Sequence, residues 1–286
     1  MVQTDNPPVV SDLMHISDVE FHSIRDIVYE RFGIALTEQK RGLVVGRLQK
    51  ILRQHGFKTF KEYYEHLVAD KTNVAITELA NQITTNHTFF FRESEHFEFF
   101  KSDILPWMVK EHKAKKNNDL RIWCAAASSG EEPYTLIITL LEYFGMDYRN
   151  WDCGLLATDI SEKALVAAKR GVYDQARLQG VSPSIVNKYF RKTAEGFEVV
   201  DKVKKEVTIR KFNLMSERLP FKRQFDCIWC RNVMIYFDTP TKHALVNRMY
   251  EQTVNGGYLL IGHSETLSRD QTKWKYIKPA VYRKEE

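Results

Sequence analysis

From Leu120 onward short apolar runs alternate with helical segments, and this rhythm constrains the fold more than any other feature of the chain. LRIWCAA (120–126) is followed by the polar turn SSGEEP and the apolar helix YTLIITLLEYF, and CGLLATDI leads into SEKALVAAKRG. VTIRKFNL, FDCIWCRN, a helix from about Thr239 to Val254 and GGYLLIGHSE complete the series. Strands alternating with helices imply an α/β fold with a parallel sheet covered on both faces. The terminal KWKYIKPAVYRKEE suits a last strand or hairpin. Residues 171–208 break the rhythm with a helix near Pro183–Phe190 and a small antiparallel β insertion.

The first third of the chain is different in kind. Residues 1–14 read as a flexible polar tail, and 15–88 carry helical patterns without a strand signal. Ser17 with Glu20 three residues on forms a capping box for a helix to about Phe32. Further helices are expected over Glu38–His55, closed by Gly56, then Phe60–Asp70 and Asn73–Ile83. The organisation is thus an all-α N-terminal domain (15–88), a linker and helix (89–118), and an α/β domain (119–286). Apolar residues at 43% and charged residues at 28% are ordinary globular usage, which excludes a disordered or fibrous chain. The longest apolar-like run, Thr135 to Leu141, is far short of the ~20 residues a membrane span needs. The acidic, proline-containing start does not look like an export signal, and four cysteines make no disulfide framework, so a reducing cytoplasm is expected.

Ligands on open α/β sheets bind at the carboxyl ends of the strands, near the point where strand order reverses. Four such ends carry polar groups: the Ser128–Pro133 turn, Asp159, Asn213-Leu214 and Cys230-Arg231-Asn232. The first has one glycine and the adjacent acids Glu131 and Glu132, which would repel a pyrophosphate and suit a ligand carrying positive charge. Acids in a first helical turn also simply complement the helix dipole. Asp159 is placed for a ribose diol, or equally as an N-cap for the helix beginning near Ser161. Four polar ends on one sheet edge favour an adenosine-type ligand.

TTNHTFFFRESEHF (84–97), WCAAASSGEEPYT (123–135), LLATDISEKAL (155–165), FNL (212–214) and CRNVMIYF (230–237) resemble the bacterial chemotaxis-receptor glutamate methyltransferases over about residues 15–283. The resemblance implies a Rossmann-like domain that binds S-adenosyl-L-methionine, releases S-adenosyl-L-homocysteine and methylates glutamates in the glutamate-rich helical bundle of chemoreceptor cytoplasmic domains. It implies that Asn86, Thr88 and Arg92 meet the cofactor from the linker; it leaves open whether Glu131 or Glu132 faces the ammonium group, and spacing to Asp159 favours Glu132. Asp159 would hold the ribose, Asn213 and Leu214 would flank the adenine, and Arg231 and Asn232 would complete the pocket. Arg92 and Tyr236 are the expected catalytic residues, with Tyr236 beside the acceptor carboxylate. A glutamate acceptor is already ionised at pH 7, so no general base is expected.

Other constellations are weaker. Cys227 and Cys230 sit in an expected strand, where positions three apart face opposite ways, and no second cysteine or histidine pair completes a metal site. His263 is a possible pocket residue, and Phe89-Phe90-Phe91 is expected to pack the two domains together. Between Gln39 and Lys61 there are seven basic residues and no acid; on the expected helix Val44, Leu48, Ile51 and Leu52 share one face, while Arg47, Lys50 and Arg53 project from the other to dock acidic receptor helices. The short Arg191–Phe197 turn, with one glycine, speaks against dependence on a receptor-tail tether. A non-catalytic cofactor-binding adaptor is the alternative; nucleic-acid methylation, membrane insertion and a nicotinamide cofactor are disfavoured.

Overall fold

The computed structural model describes residues 15–84 and 87–285, and the chain divides into two compact units, Met1–Thr85 and Asn86–Glu286. In the smaller unit α1 (Asp18–Phe32) begins at the capping box, with Ser17 and Glu20 each bonding the other's backbone amide, and ends on left-handed Gly33. It is followed by a short turn of 3₁₀ helix at Glu38–Lys40 and by α2 (Arg41–His55), which ends on left-handed Gly56. Next come α3 (Phe60–Ala69) and α4 (Val74–Ile83). The core is built at helical spacing from Phe21, Ile24 and Val28 of α1, Val44, Leu48, Ile51 and Leu52 of α2, and Leu79 and Ile83 of α4.

The basic run on α2 is more tied down than its sequence suggests. Arg41 pairs with Asp18 at 2.6 Å and with Glu38, so acids outside the run supply its partners. Arg47 does not project freely: its Nη1 donates to the Ile83 carbonyl at the end of α4, a cation at a helix C-terminus. Lys50 and Arg53 are exposed.

The larger unit opens with a linker and a helix interrupted by a π-type turn: α5 (Ser94–Phe99), the turn Phe100–Ile104 and α6 (Leu105–Ala114). Pro106 has no N–H to close the ladder on residue 102, and the wider turn absorbs the break. The main elements are β1 (Asp119–Cys124), α7 (Glu131–Phe144), β2 (Asp152–Asp159) and α8 (Glu162–Arg170). An insert follows, with β3 (Val172–Tyr173), α9 (Pro183–Tyr189), β4 (Phe190–Thr193), β5 (Gly196–Val199) and α10 (Asp201–Lys204). The chain then forms β6 (Val207–Lys211), β7 (Phe225–Cys230), α11 (Thr239–Glu251), β8 (Thr253–Ile261) and the hairpin β9 (Lys275–Lys278) and β10 (Val281–Arg283).

The seven-stranded sheet runs β6-β2-β1-β7-β8-β10-β9, with its first five strands parallel and the last two antiparallel. Strand order therefore reverses between β1 and β7, where a ligand crevice is expected. β7 is buried at every position, as a central parallel strand must be. The insert forms its own antiparallel sheet, β3-β5-β4, and ends before Val207, which already pairs with Leu155 in the main sheet. α11 stops three residues earlier than its periodicity suggests, because β-branched Thr253 pairs with Phe225 and starts β8. Cys124, Cys153, Cys227 and Cys230 are buried free thiols.

Gly130, at φ +99°, precedes α7; a Cβ there would meet the Tyr173 hydroxyl at 2.8 Å and the Ala168 Cα at 3.0 Å. Gly130→Ala should therefore cost at least ~2 kcal/mol, from the left-handed backbone and a clash that backbone cannot yield to. Gly46→Ala, in α2 with nothing within 4 Å, should instead gain up to ~1 kcal/mol. Denaturant melts of both variants check the contrast; equal effects would contradict it.

Candidate functional site

The turn after β1 is fixed by its backbone before any side chain enters. Ala125 N–H donates to the Trp229 carbonyl and Ala127 N–H to that of Thr158, tying the turn to the two neighbouring strands. Ser128, at φ +47°, donates its N–H to Asp159 Oδ2 at 2.8 Å, and Asp159 Oδ1 accepts from Ser161 N–H at 2.8 Å. Ser161, not Asp159, caps α8, through its hydroxyl to Ala164 N–H. Burial raises the Asp159 carboxyl above its usual value, against the backbone amides of Ser161, Ser128 and Ile160 that favour its charge. A carboxylate offers about four lone-pair sites, so capacity remains for a diol. Beside it the Ser128 hydroxyl is buried with no hydrogen-bond partner among the described residues.

Glu131 and Glu132 diverge completely. Glu131 is fully buried: Oε2 accepts from the Ser129 hydroxyl at 2.7 Å and Oε1 from Arg177 Nη1 at 2.9 Å. Burial raises its pKa. Glu132 turns towards β7, where its Oε2 lies 2.5 Å from Arg231 Nη1 and its Oε1 accepts from the Cys124 thiol. Each acid thus has its own arginine, and the pair is not the bare anionic surface that the sequence suggests.

Each arginine also holds one end of the segment Thr88–Glu93. Arg177 Nη1 donates to the Thr88 carbonyl at 2.5 Å, and Arg231 Nη2 donates to the Arg92 carbonyl at 2.7 Å and to Glu93 Oε2 at 2.9 Å. The Arg231 side chain is 1% exposed and lies over the rings of Phe97 and Trp229. Its two terminal nitrogens both meet neighbouring groups, whereas its buried Nε has no hydrogen-bond partner among the described residues. Burial pushes the Glu93 carboxyl up, but Arg231 and the Asn232 amide outweigh this and hold it down at about 2.

The last strand end is shaped by an acid whose role the sequence does not announce. Glu265, buried, accepts from the backbone N–H groups of Gly262 (2.6 Å), Asn232 (3.0 Å) and Ile235 (3.2 Å). These bonds hold Asn232 at φ +57°, its Nδ2 on Glu93 Oε1, and set the short turn Met234–Tyr236 on which Tyr236 stands half-buried. The motif GHSE drew attention to His263, which is exposed, rather than to Glu265.

The remaining expected residues are placed as follows. Asn213 Oδ1 accepts from Met215 N–H in a turn after β6, and Leu214 is buried with its carbonyl on Arg248. Arg92 is partly exposed, with Nη1 on the His87 carbonyl at 2.6 Å. Asn86 lies outside the described residues. Within the larger unit Phe90 sits edge-on to Tyr173 and Phe190 at 4.9 and 5.0 Å, and Phe91 packs against Phe97. Glu93, His96 and His263 bring ligand atoms within 4.8 Å of one another. A dication there would have to compete with Arg231 for Glu93, and the buried His96 ring is held neutral, its pKa pulled down to about 3 by burial and Arg231.

In a doubly wound sheet the strand ends around the topological switch point, here carrying acids on adjacent strands, are where ligands bind. Residues 86–282 match the family model described as CheR methyltransferase, SAM binding domain, which makes the class that of the S-adenosylmethionine-dependent methyltransferases. Residues 19–84 match CheR methyltransferase, all-alpha domain. The chain belongs to the CheR methyltransferase family. A chemotaxis protein methyltransferase of Borreliella burgdorferi is 42% identical over 95% of this chain and 96% of its own. That of Salmonella typhimurium is 35% identical over 88% of this chain and 85% of its own, and that of Escherichia coli 31% identical over 96% and 93%. Among the described residues no helix is long and apolar enough to cross a membrane.

The Glu93 pKa of about 2 lies below its ordinary 4.5, so this group contributes stability fully present above pH 4.5 and lost as pH falls through 2. Glu93→Gln should flatten the stability–pH curve across that window. A parent-like slope in acid denaturation of the variant would contradict the Arg231–Glu93 clamp.

Proposed function

We propose that this chain transfers a methyl group from S-adenosylmethionine to glutamate side chains in the helical cytoplasmic bundle of chemoreceptors, in the cytoplasm, giving glutamate methyl esters and S-adenosylhomocysteine. The observation that carries this reading is that both units match, in order, the two domains of one family whose members in three organisms are named chemotaxis protein methyltransferases.

The chemistry of the site suits that ligand. Arg92 offers a cation to a carboxylate, Glu132 faces an ammonium, Asp159 takes the ribose diol, and Asn213 with the apolar Leu214 flanks the base. Thr88 and Asn86 are assigned to the same ligand, and Asn232 holds Glu93 in place. Bound S-adenosylmethionine supplies an electrophilic methyl group on a sulfonium. A glutamate acceptor, with a reference pKa of about 4.3, arrives as a nucleophile and needs no base. The residues' work is therefore orientation and exclusion of water, with Tyr236 beside the acceptor. The neutral, buried His96 is consistent with a site that moves no proton.

Receptor docking is assigned to the exposed Lys50 and Arg53 of α2, with Arg47 acting through α4, whose end it caps. The hairpin β4–β5 turns in two residues, Ala194 and Glu195, which leaves little to clasp a receptor tail. Methylation is accordingly expected to be independent of a tail tether.

Incubation with methyl-labelled cofactor and a receptor cytoplasmic fragment should give label released as methanol by alkali. Cofactor binding without such label would favour the non-catalytic adaptor. Asp159→Ala and Arg92→Ala should each weaken S-adenosylhomocysteine binding roughly ten- to a hundredfold in calorimetry, the loss of a charge-assisted hydrogen bond. Lys50→Glu with Arg53→Glu should slow receptor methylation most at low salt, where steering is strongest, and leave cofactor affinity at the parent value. Parent rates in low salt would end the docking assignment.

A further inference from the structure

Arg177 belongs to none of the motifs at the strand ends, yet it touches the cofactor edge of the unit from the insert. It stands in the short helical turn Gln175–Leu178 between β3 and α9, where Asp174 caps its N–H at 3.0 Å. Its Nη1 is shared between the Thr88 carbonyl at 2.5 Å and Glu131 Oε1 at 2.9 Å. Its own carbonyl accepts from Phe90 N–H at 3.2 Å, while the Phe90 ring is wedged against Tyr173 and Phe190 of the insert. One residue therefore grips the segment 88–90 through both side chain and backbone. Its anchor, Glu131, is fixed in the first turn of α7 and bonded to Ser129.

We infer that Arg177 is a positioning residue for methyl transfer: it sets the placement of the Thr88–Arg92 segment over the strand ends and couples the insert to the cofactor site. The inference rests on the proposed function, because that reading gives Thr88 and Arg92 their task. Arg231 holds the far end of the same segment through the Arg92 carbonyl. Removing Arg177 frees one end only, so Arg92 swings about a hinge instead of being lost. The Arg177 side chain is 35% exposed, so water can take its place at the buried Glu131 and its loss costs less than stripping a pair buried on both sides. Its loss should register in local opening and in ligand geometry, where a displacement of ~1 Å is worth up to a hundredfold in rate.

The test compares the full-length parent with Arg177→Ala, Arg177→Lys and Arg177→Gln. Hydrogen exchange across residues 87–93 is followed without ligand, S-adenosylhomocysteine binding by calorimetry, and kcat and KM with the receptor fragment. The alanine variant keeps the backbone bond to Phe90 but loses the side-chain hold on Thr88, and it should exchange at least about tenfold faster across residues 87–93 than the change in its melting midpoint accounts for. It should bind S-adenosylhomocysteine about tenfold more weakly and show a lower kcat at saturating cofactor. Lysine, whose ammonium reaches both acceptors as a point charge, should restore part of each loss. Glutamine cannot span Thr88 and Glu131, and it carries the same expectation should the alanine variant fold poorly. Parent-like exchange and affinity in both the alanine and glutamine variants would overturn the inference, as would equal losses in lysine and alanine. A parent protein that binds no S-adenosylhomocysteine would instead refute the proposed function, while segment exchange would still report on Arg177.

Discussion

The site depends on how two adjacent carboxylates at the start of α7 are neutralised. Glu131 and Glu132 stand side by side in a helix turn, and neither is left to water: Arg177 takes one and Arg231 the other. Stripping Arg231, buried like its partner, typically costs about 3–5 kcal/mol, because the other charge is then stranded, whereas water can partly replace the partly exposed Arg177 at Glu131. The pairing therefore locks the helix start, the insert and the end of β7 together. Each arginine has donors to spare, and both spend them on the Thr88–Glu93 segment. Charge compensation in the core of the unit and placement of the Thr88–Glu93 segment are one set of interactions.

That arrangement changes the electrostatic picture of the pocket. Bare paired acids would attract any cation; acids already matched by arginines offer instead a polar, rigid frame with Arg92 partly free at its rim. Such a frame can discriminate a zwitterionic amino-acid end, which needs both signs at set positions, from a simple cation. Among the neighbouring ionisable groups, Asp159 and Glu265 accept backbone amides and His96 is held neutral. Preorganisation rather than proton transfer is what such a site can supply.

Much of the fold was legible because its signals are local. The Ser17–Glu20 box, Gly33 and Gly56 mark helix ends within a few residues of themselves, and the apolar runs of β1, β2 and β7 declare buried parallel strands. The four polar strand ends follow from topology once the strands are known. What could not be read were partnerships across long sequence distances. Nothing near Glu131 points to Arg177, 46 residues on, and nothing near Arg231 points to Glu93, 138 residues back. The basic window misled for the same reason, since Asp18 and the Ile83 carbonyl lie outside it. Glu265 was hidden because a buried carboxylate that accepts three backbone amides leaves no spacing rule in the sequence.

A crystal structure of the protein with S-adenosylhomocysteine tests the central claim most directly. The expected complex has the ribose diol on Asp159, the homocysteine amine at Glu132 and its carboxylate at Arg92, with Arg177 and Arg231 still holding Thr88 and Arg92 by their carbonyls. A homocysteine end directed away from the Thr88–Glu93 segment, or an Arg231 that leaves Glu132 to bind the ligand itself, would contradict it.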